Sequence, residues 1–259
     1  MIGVTTIRNY SYSVKMEAMK RSEALHLTYC PREGTLKEME SSFQMEGFLI
    51  YGKKIPFYYT KGEEYHFHFG TSVLRKEQII RGNHDRLCSL LPQEGYCSVL
   101  DATFGQGGDS LTMSFFLGDR GHVTAIEKSL PLYEVGRAAI QTFKDPKEEE
   151  MTEALRRIEL CHGDSFEYLK NGEAGKFDVI YFDPMFRAPV KRKENHMEGF
   201  RKAASYDSLS EDILISALHM ARKRIIVKER PFSPLFRSSL FTEVYAKKGQ
   251  TTAYGVIDI

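Results

Sequence analysis

The chain has 259 residues, of which 42% are hydrophobic and 27% charged, and its formal net charge is +1. This composition excludes a disordered chain, because it supplies enough apolar side chains for one large domain or for a domain with a smaller companion. The near-zero net charge excludes a protein that coats nucleic acid along its whole surface.

No uncharged apolar run approaches the ~20 residues of a membrane helix, and the N-terminal residues lack a basic segment followed by an apolar one. We therefore predict a soluble, cytoplasmic protein with no membrane partner. The four cysteines show no C-x-x-C spacing, which predicts reduced and mostly buried thiols. No pattern in the sequence indicates an oligomeric state.

Residues 1–70 predict a small α+β region. Residues 12–29 have helical spacing, residues 31–34 break it, and residues 47–69 contain short strand-like pieces. A helix predicted over residues 71–91 leads into a second domain, 71–259. His66 and His68 share one face of a predicted strand, but no third ligand is nearby, so we predict packing and no metal site.

From residue 96 onward, β-branched runs alternate with helical patterns, which predicts a parallel sheet with helices on both faces. The seven predicted strands are 96–103, 122–127, 158–162, 177–182, 224–228, 241–246 and 252–257. Residues 247–251 are too few for a crossover helix, so the last two strands should form an antiparallel hairpin. The acidic residues 145–150 predict a solvated loop.

A glycine-rich turn, D-A-T-F-G-Q-G-G-D, follows the first of these strands. The glycines that allow a sharp turn and a close approach to a ligand are Gly105, Gly107 and Gly108. A dinucleotide fingerprint needs a further glycine where Ser110 stands, and Asp101 and Asp109 would repel a pyrophosphate. S-adenosylmethionine suits this loop better, because it carries a sulfonium, an ammonium and no phosphate.

Polar side chains also end the second and third strands. Glu127 ends the second strand, where a carboxylate can accept hydrogen bonds from both ribose hydroxyl groups of a nucleoside. Asp164 and Ser165 follow the third strand, where they fit either a contact to an adenine amino group or the cap of the next helix.

The fourth strand is a buried apolar run that ends in Asp183, Pro184 and, two residues on, Phe186. An exocyclic amine on a base is a poor nucleophile, because its lone pair is delocalised into the ring. Asp183 and the adjoining carbonyls can accept hydrogen bonds from the N–H groups of this amine and stabilise the positive charge that develops on its nitrogen. Phe186 can stack on the base. The pattern predicts amine methylation in which orientation supplies most of the catalysis.

The motifs D-A-T-F-G-Q-G-G-D, A-I-E-K, H-G-D-S and Y-F-D-P-M-F, in this order, resemble those of class I S-adenosylmethionine-dependent methyltransferases. More narrowly the chain resembles the RsmJ family of small-subunit ribosomal RNA guanine-N2 methyltransferases, over roughly residues 70–235. The resemblance implies a Rossmann-like fold, S-adenosylmethionine as cofactor and ribosomal RNA or the small subunit as partner. The implied cofactor contacts are Gly108, Asp109, Glu127, Lys128, Asp164, Ser165 and Asp183.

Basic residues follow the predicted catalytic motif and fit contacts to RNA phosphates, although the same pattern suits a solubilising face. The predicted RNA contacts are Arg187, Lys191, Arg192, Lys193, Lys228 and Arg230. Arg75, Lys76, Arg81 and Arg86 lie on a predicted helix and could extend an RNA surface, although an ordinary role in the fold is the favoured interpretation. Three other functions stay open: methylation of a protein or small molecule, nicotinamide-dependent oxidoreduction, and non-catalytic RNA binding on a methyltransferase fold.

Overall fold

The computed structural model describes residues 1–184 and 209–259. The chain divides into two compact units. The first unit contains Met1–His68 and Ser129–Phe143, and the second contains Phe69–Lys128 with the described parts of 144–190 and 205–259. Within the described ranges, no helix is long and apolar enough to cross a membrane.

The helices and strands are numbered in chain order over the described residues. The helices are α1 (Tyr12–Ala24), α2 (Leu36–Ser42), α3 (Ser72–Ile80), α4 (Gly108–Leu117), α5 (Leu130–Thr142), α6 (Glu149–Arg156), α7 (Ser165–Lys170) and α8 (Glu211–Met220). The strands are β1 (Ile2–Thr6), β2 (Thr28–Tyr29), β3 (Gly47–Tyr51), β4 (Phe57–Thr60), β5 (Glu63–Tyr65), β6 (Cys97–Asp101), β7 (Gly121–Glu127), β8 (Ile158–His162), β9 (Phe177–Phe182), β10 (Ala221–Glu229), β11 (Glu243–Tyr245) and β12 (Ala253–Asp258).

The first unit contains a five-stranded sheet with the order β2-β1-β3-β4-β5. Strand β1 pairs in parallel with β2 and β3, whereas β3, β4 and β5 form an antiparallel meander. Buried side chains of the meander pack with α2, and Phe48, Ile50 and Met39 lie at the centre of this cluster. The α+β character predicted for residues 1–70 matches this arrangement, although β1 was not predicted.

Helix α5 belongs to the first unit, whereas the sequence prediction placed it in the domain 71–259. The carboxylate of Glu134 on α5 is fully buried and accepts hydrogen bonds from Arg21 at 2.7 and 2.9 Å and from the Tyr51 hydroxyl at 2.7 Å. Although burial opposes ionisation, hydrogen bonds from Arg137 and Arg21 hold the pKa of Glu134 below its ordinary value. This buried charge cluster joins α5 to α1 and β3.

The second unit contains a seven-stranded sheet with the order β11-β12-β10-β9-β6-β7-β8. Strands β6 to β10 pair in parallel, whereas β12 is antiparallel to both β10 and β11. This confirms the predicted α/β fold, a mainly parallel sheet with a C-terminal antiparallel hairpin. Leu100 and Ile180 pack on one face of the sheet and Val99 and Val179 on the other, as the two-residue period of a strand requires.

The acidic stretch predicted as a loop instead leads into helix α6. Met151, Ala154 and Leu155 are buried on one side of this helix, and Glu149 and Glu150 lie in its first turn, where negative charge is favourable. Helix α3 is also shorter than predicted and ends at Ile80. Charged residues conceal the short apolar stripe of α6, whereas α3 ends two residues before Gly82, whose φ of +74° does not continue a helix.

The predictions for cysteine and histidine concern small local features. All four cysteines are free, and Cys30, Cys88 and Cys97 are buried. The His66 ring stacks on Phe57 with ring centroids 4.4 Å apart, as the packing interpretation requires. Within the part of the chain that the structure describes, no group of three or more possible ligands is arranged to hold a metal ion.

Candidate active site

Strands β6, β7, β8 and β9 run parallel, so their carboxyl ends meet at one edge of the sheet. The residues predicted to bind the cofactor follow or end these strands. Asp101 pairs in register with Ala125 of β7 and Tyr181 of β9, which places the Asp101 backbone beside the end of the predicted catalytic strand.

Asp101 ends β6 and is 1% exposed. Its carboxylate accepts a hydrogen bond of 2.5 Å from the Ser110 hydroxyl and one of 3.0 Å from the Thr103 N–H. Burial raises the pKa of Asp101 to about 6, despite these bonds. The hydroxyl oxygen of Thr103 also accepts a bond of 2.7 Å from the Asp183 N–H, so Thr103 joins the glycine-rich loop to the end of β9.

The glycine-rich loop needs its glycines for conformation and for space. Gly107 has φ +78°, and a Cβ on it would lie 2.6 Å from the Phe104 ring. The Gly105 N–H donates to Glu127 Oε2 at 2.8 Å, so the carboxylate at the end of β7 anchors the loop backbone. Gly108 begins α4, and its carbonyl accepts a hydrogen bond of 2.9 Å from Ser72.

The sequence left two roles open for Asp164 and Ser165, a contact to adenine or a helix cap, and the structure shows the cap after β8. Asp164 accepts a hydrogen bond of 2.8 Å from the Phe166 N–H and caps α7, where Ser165 is buried in the first turn. Lys128, which follows β7, forms an ion pair of 2.8 Å with Asp164. Lys128 and Asp164 therefore connect the ends of two neighbouring strands.

Lys228 lies between two carboxylates at the end of the sheet. Its ammonium is 2.8 Å from Asp109 Oδ2 and 2.7 Å from Asp183 Oδ2. The Tyr181 hydroxyl donates to the same oxygen of Asp109 at 2.7 Å. The only sequence clue to Tyr181 was a phenol near the end of an otherwise apolar strand.

Arg75 completes this network from α3. Its guanidinium contacts Asp109 Oδ1 and donates two hydrogen bonds to Asp85, at 2.7 and 2.9 Å. The prediction that Arg75 and Lys76 extend an exposed RNA surface is wrong, because Arg75 is largely buried in these pairs and Lys76 is buried against Glu148. No sequence pattern identified Arg75 as part of the site.

The pKa values of the two carboxylates beside Lys228, Asp109 and Asp183, shift in opposite directions. Although burial opposes ionisation of Asp109, Lys228 and Arg75 hold the pKa of Asp109 well below its ordinary value. Burial raises the pKa of Asp183; Lys228 opposes this shift and the charge of Asp109 adds to it. One ammonium therefore serves two carboxylates, and Asp109 ionises before Asp183.

The structure gives different information on the remaining predicted residues. Pro184 follows Asp183 and is half-buried, as is Arg230 one residue beyond β10. The placement of Lys228 between two carboxylates fits a role in holding Asp183, and its predicted phosphate contact stays a prediction. The predicted residues that lie outside the described ranges are Phe186, Arg187, Lys191, Arg192 and Lys193.

The donor set at this edge fits a cationic cofactor. Asp101, Glu127 and Asp164 supply carboxylates at the ends of three adjacent strands, and the glycines of the loop present backbone without side chains. A pyrophosphate would meet repulsion from the same carboxylates. The chemistry therefore favours a ligand with a sulfonium and an ammonium group.

The sequence profile of the family described as "Putative SAM-dependent methyltransferase" matches residues 65–249. The chain belongs to this family. Its cofactor is accordingly S-adenosylmethionine, in agreement with the carboxylate-lined edge of the sheet.

Several known proteins are similar to this methyltransferase. The uncharacterized protein YpiP of Bacillus subtilis is 28% identical over 254 residues, which cover 98% of this chain and 97% of that protein. The ribosomal RNA small subunit methyltransferase J of Hydrogenovibrio crunogenus is 33% identical over 142 residues, 53% of this chain and 49% of that one. The protein of the same name from Cellvibrio japonicus is 31% identical over 166 residues, 61% and 60% of the two chains. This chain thus spans about half to three fifths of the length of these two enzymes.

A solved structure supports the fold over the whole chain. The crystal structure of a SAM-dependent methyltransferase from Neisseria gonorrhoeae has a TM-score of 0.60 and 19% identity, covering 100% of this chain and 96% of that one. At this level of identity the similarity establishes a shared Rossmann-like methyltransferase fold.

Proposed function

We propose that this methyltransferase transfers a methyl group to the exocyclic N2 amine of a guanine in small-subunit ribosomal RNA. The observation that carries the proposal is the position of Asp183, which directly follows β9, is bonded to Thr103 of the glycine-rich loop and is held by Lys228 at 2.7 Å. The similarity to ribosomal RNA small subunit methyltransferase J enzymes supports the RNA substrate.

Asp183 is the proposed catalytic residue. Its carboxylate and the Pro184 carbonyl accept hydrogen bonds from the two N–H groups of the amine. These bonds make the nitrogen more nucleophilic and orient its lone pair. Lys228 and Thr103 position Asp183 through its side chain and its N–H. Because its pKa is raised, Asp183 is suited to take the proton that the amine loses on methylation. Phe186 is proposed to stack on the base.

A second group of residues is proposed to hold the cofactor, which supplies a methyl group bonded to a positively charged sulfur. Asp101 and Glu127 place negative charge beside the loop, and Glu127 also fixes the loop backbone. The remaining proposed contacts are Gly105, Gly107, Gly108, Asp109, Lys128, Asp164, Ser165 and Asp183. Asp109 has all its described contacts with Arg75, Lys228 and Tyr181, so its proposed effect on the cofactor is electrostatic.

Asp183→Asn should lower kcat by about 100-fold, because the amide presents one acceptor oxygen and no negative charge to the amine. The affinity for S-adenosylhomocysteine, measured by calorimetry, should fall much less than kcat, because Asp183 is one of several proposed cofactor contacts. Methylation is assayed on small-subunit ribosomal RNA from cells that lack the gene, by mass spectrometry of its nucleosides. Asp119→Asn, at an exposed aspartate before β7, is the matched control and should keep full activity.

The same mass spectrometry tests the identity of the product. Loss of the gene should remove one N2-methylguanosine from small-subunit ribosomal RNA, and the wild-type gene should restore it. Unchanged N2-methylguanosine in the deletion strain would refute the proposed substrate, whereas full activity of Asp183→Asn would refute the proposed catalytic residue.

A further inference from the structure

The two chain segments that follow β10 and precede β12 emerge at the edge of the sheet that carries Asp183. Strand β10 runs parallel to β9, with Phe182 opposite Val227, and it ends at Glu229. Glu229 pairs with Ala253, the first residue of β12. Residues 230–233 therefore leave the carboxyl edge at the strand next to β9, and the hairpin turn 246–252 lies at the same edge one strand further out.

An aromatic ring is displayed on the first of these segments. Phe232 is 93% exposed, the highest value among the large hydrophobic side chains of the described residues. It lies between Pro231 and Pro234, whose rings restrict the backbone on both sides. Displaying a phenyl ring to water is unfavourable, and the two prolines lower the entropy that the segment loses when the ring binds a partner.

Basic residues outnumber acidic ones in the chain between β10 and β12. Residues 230–252 contain Arg230, Arg237, Lys247 and Lys248 against a single acidic residue, Glu243, in a chain whose total charge is +1. Lys247 and Lys248 are exposed at the hairpin turn. A partner with a regular negative charge is therefore favoured on this side of the molecule.

Arg86 contacts the hairpin that carries Lys247 and Lys248. Arg86 donates to the Tyr245 carbonyl at 3.1 Å, contacts the Gln250 side chain, and lies 5.4 Å from the centre of the Tyr254 ring. The rings of Phe236 and Phe241 pack edge to face with centroids 5.3 Å apart in the connecting segment. The backbone is thus held by packed groups while Phe232 and the lysines remain exposed.

We propose that Arg230, Phe232, Lys247 and Lys248 form a docking surface for single-stranded RNA, here named the hairpin surface. The lysines and Arg230 contact phosphates, and Phe232 stacks on a base beside the nucleotide that is methylated. Stacking with phosphate contact is the mode by which single strands bind without sequence readout. The inference rests on the proposed function, because it takes ribosomal RNA as the substrate.

Binding of full-length protein to unmodified small-subunit ribosomal RNA, transcribed in vitro, tests the hairpin surface across a series of salt concentrations. Phe232→Ala should weaken binding about tenfold, and Phe232→Tyr should restore it. The double variant Lys247→Gln/Lys248→Gln should reduce the slope of log affinity against log salt by about 1.4, the value for two phosphate contacts on a single strand. The affinity for S-adenosylhomocysteine should stay unchanged.

Two matched controls separate this surface from a general effect of charge or apolar area. Lys53→Gln/Lys54→Gln removes an exposed lysine pair from the first unit, and Tyr96→Ala removes a 60% exposed ring at the opposite edge of the sheet. Wild-type affinity in the hairpin variants, or equal losses in the controls, would overturn the hairpin surface and leave the proposed function standing. Failure of the wild-type protein to bind this RNA would also overturn the hairpin surface, whereas the proposed function fails only if the nucleoside mass spectrometry shows unchanged N2-methylguanosine.

Discussion

Lys228 contributes one positive charge to two carboxylates, and its removal should have a large effect. Lys228→Met leaves Asp183 and part of Asp109 without a counter-ion in a largely buried position, so the free energy of unfolding should fall by about 3 kcal/mol. Lys228→Arg keeps the charge and should recover at least half of this loss. Urea denaturation measures both, with Lys176→Met at an exposed lysine as the control. Equal urea midpoints for Lys228→Met and wild type would contradict the network.

Asp101 makes a pH-dependent contribution to stability. Its pKa is about 6 in the folded protein and 3.8 in the unfolded chain, so the folded state binds more protons between these values. Stability is therefore lost as pH rises from about 4 through 6, by about 3 kcal/mol in total. Asp101→Asn keeps acceptance from the Thr103 N–H and removes this penalty.

The expected result is that Asp101→Asn unfolds at a higher temperature than wild type at pH 8 and at the same temperature near pH 4. Circular dichroism melts at half-unit pH steps measure the difference. A constant difference across this range would show that the carboxyl group does not titrate as the buried position requires.

The glycine-rich loop shows how one element depends on backbone conformation. Gly107→Ala places a Cβ against the Phe104 ring in a conformation that already costs about 1 kcal/mol, so the free energy of unfolding should fall by about 3 kcal/mol. Gly82→Ala has a similar φ, +74°, but no atom within 4 Å of the new Cβ, and should lose only about 1 kcal/mol. Chemical denaturation of both variants separates steric overlap from backbone strain, and equal losses would contradict the overlap.

Elements with a continuous local pattern were predicted well, and elements that depend on distant partners were not. The predicted ranges of β8 and β9 coincide with the observed ones, because each is a short stretch of mainly apolar residues bounded by polar or glycine residues. Strand β1 is stabilised by pairing with β3, with Ile2 opposite Gly47, and nothing near β1 in the sequence indicates that partner.

The same distinction applies to the site. Carboxylates at strand ends were predictable, because parallel strands bring their carboxyl ends to one edge. Arg75 was not, because its contact with Asp109 joins residues 34 positions apart on two different helices. The proposed roles of these residues stay predictions.

At the scale of the whole molecule, every described residue of the candidate site belongs to the second unit, whereas Glu134 belongs to the first. Glu134→Gln should lower the free energy of unfolding by about 3 kcal/mol, because two arginines lose their buried counter-ion. The affinity for S-adenosylhomocysteine should stay within about twofold of wild type. Thermal unfolding and calorimetry test this, with the exposed Glu23→Gln as control. A tenfold loss of affinity would contradict the expectation that Glu134 of the first unit does not contribute to cofactor binding by the second.

The position of Glu134 in the chain also bears on biosynthesis. Its partners Arg21 and Tyr51 precede it by 113 and 83 residues, and β6 and β7 are translated in between. Arg21 and Tyr51 are therefore synthesised well before Glu134, the carboxylate to which both donate hydrogen bonds in the folded protein. Synthesis of the first unit's residues is accordingly complete only after β6 and β7 of the second unit have been made, so strict folding of one unit after the other from the N-terminus is not open to this chain.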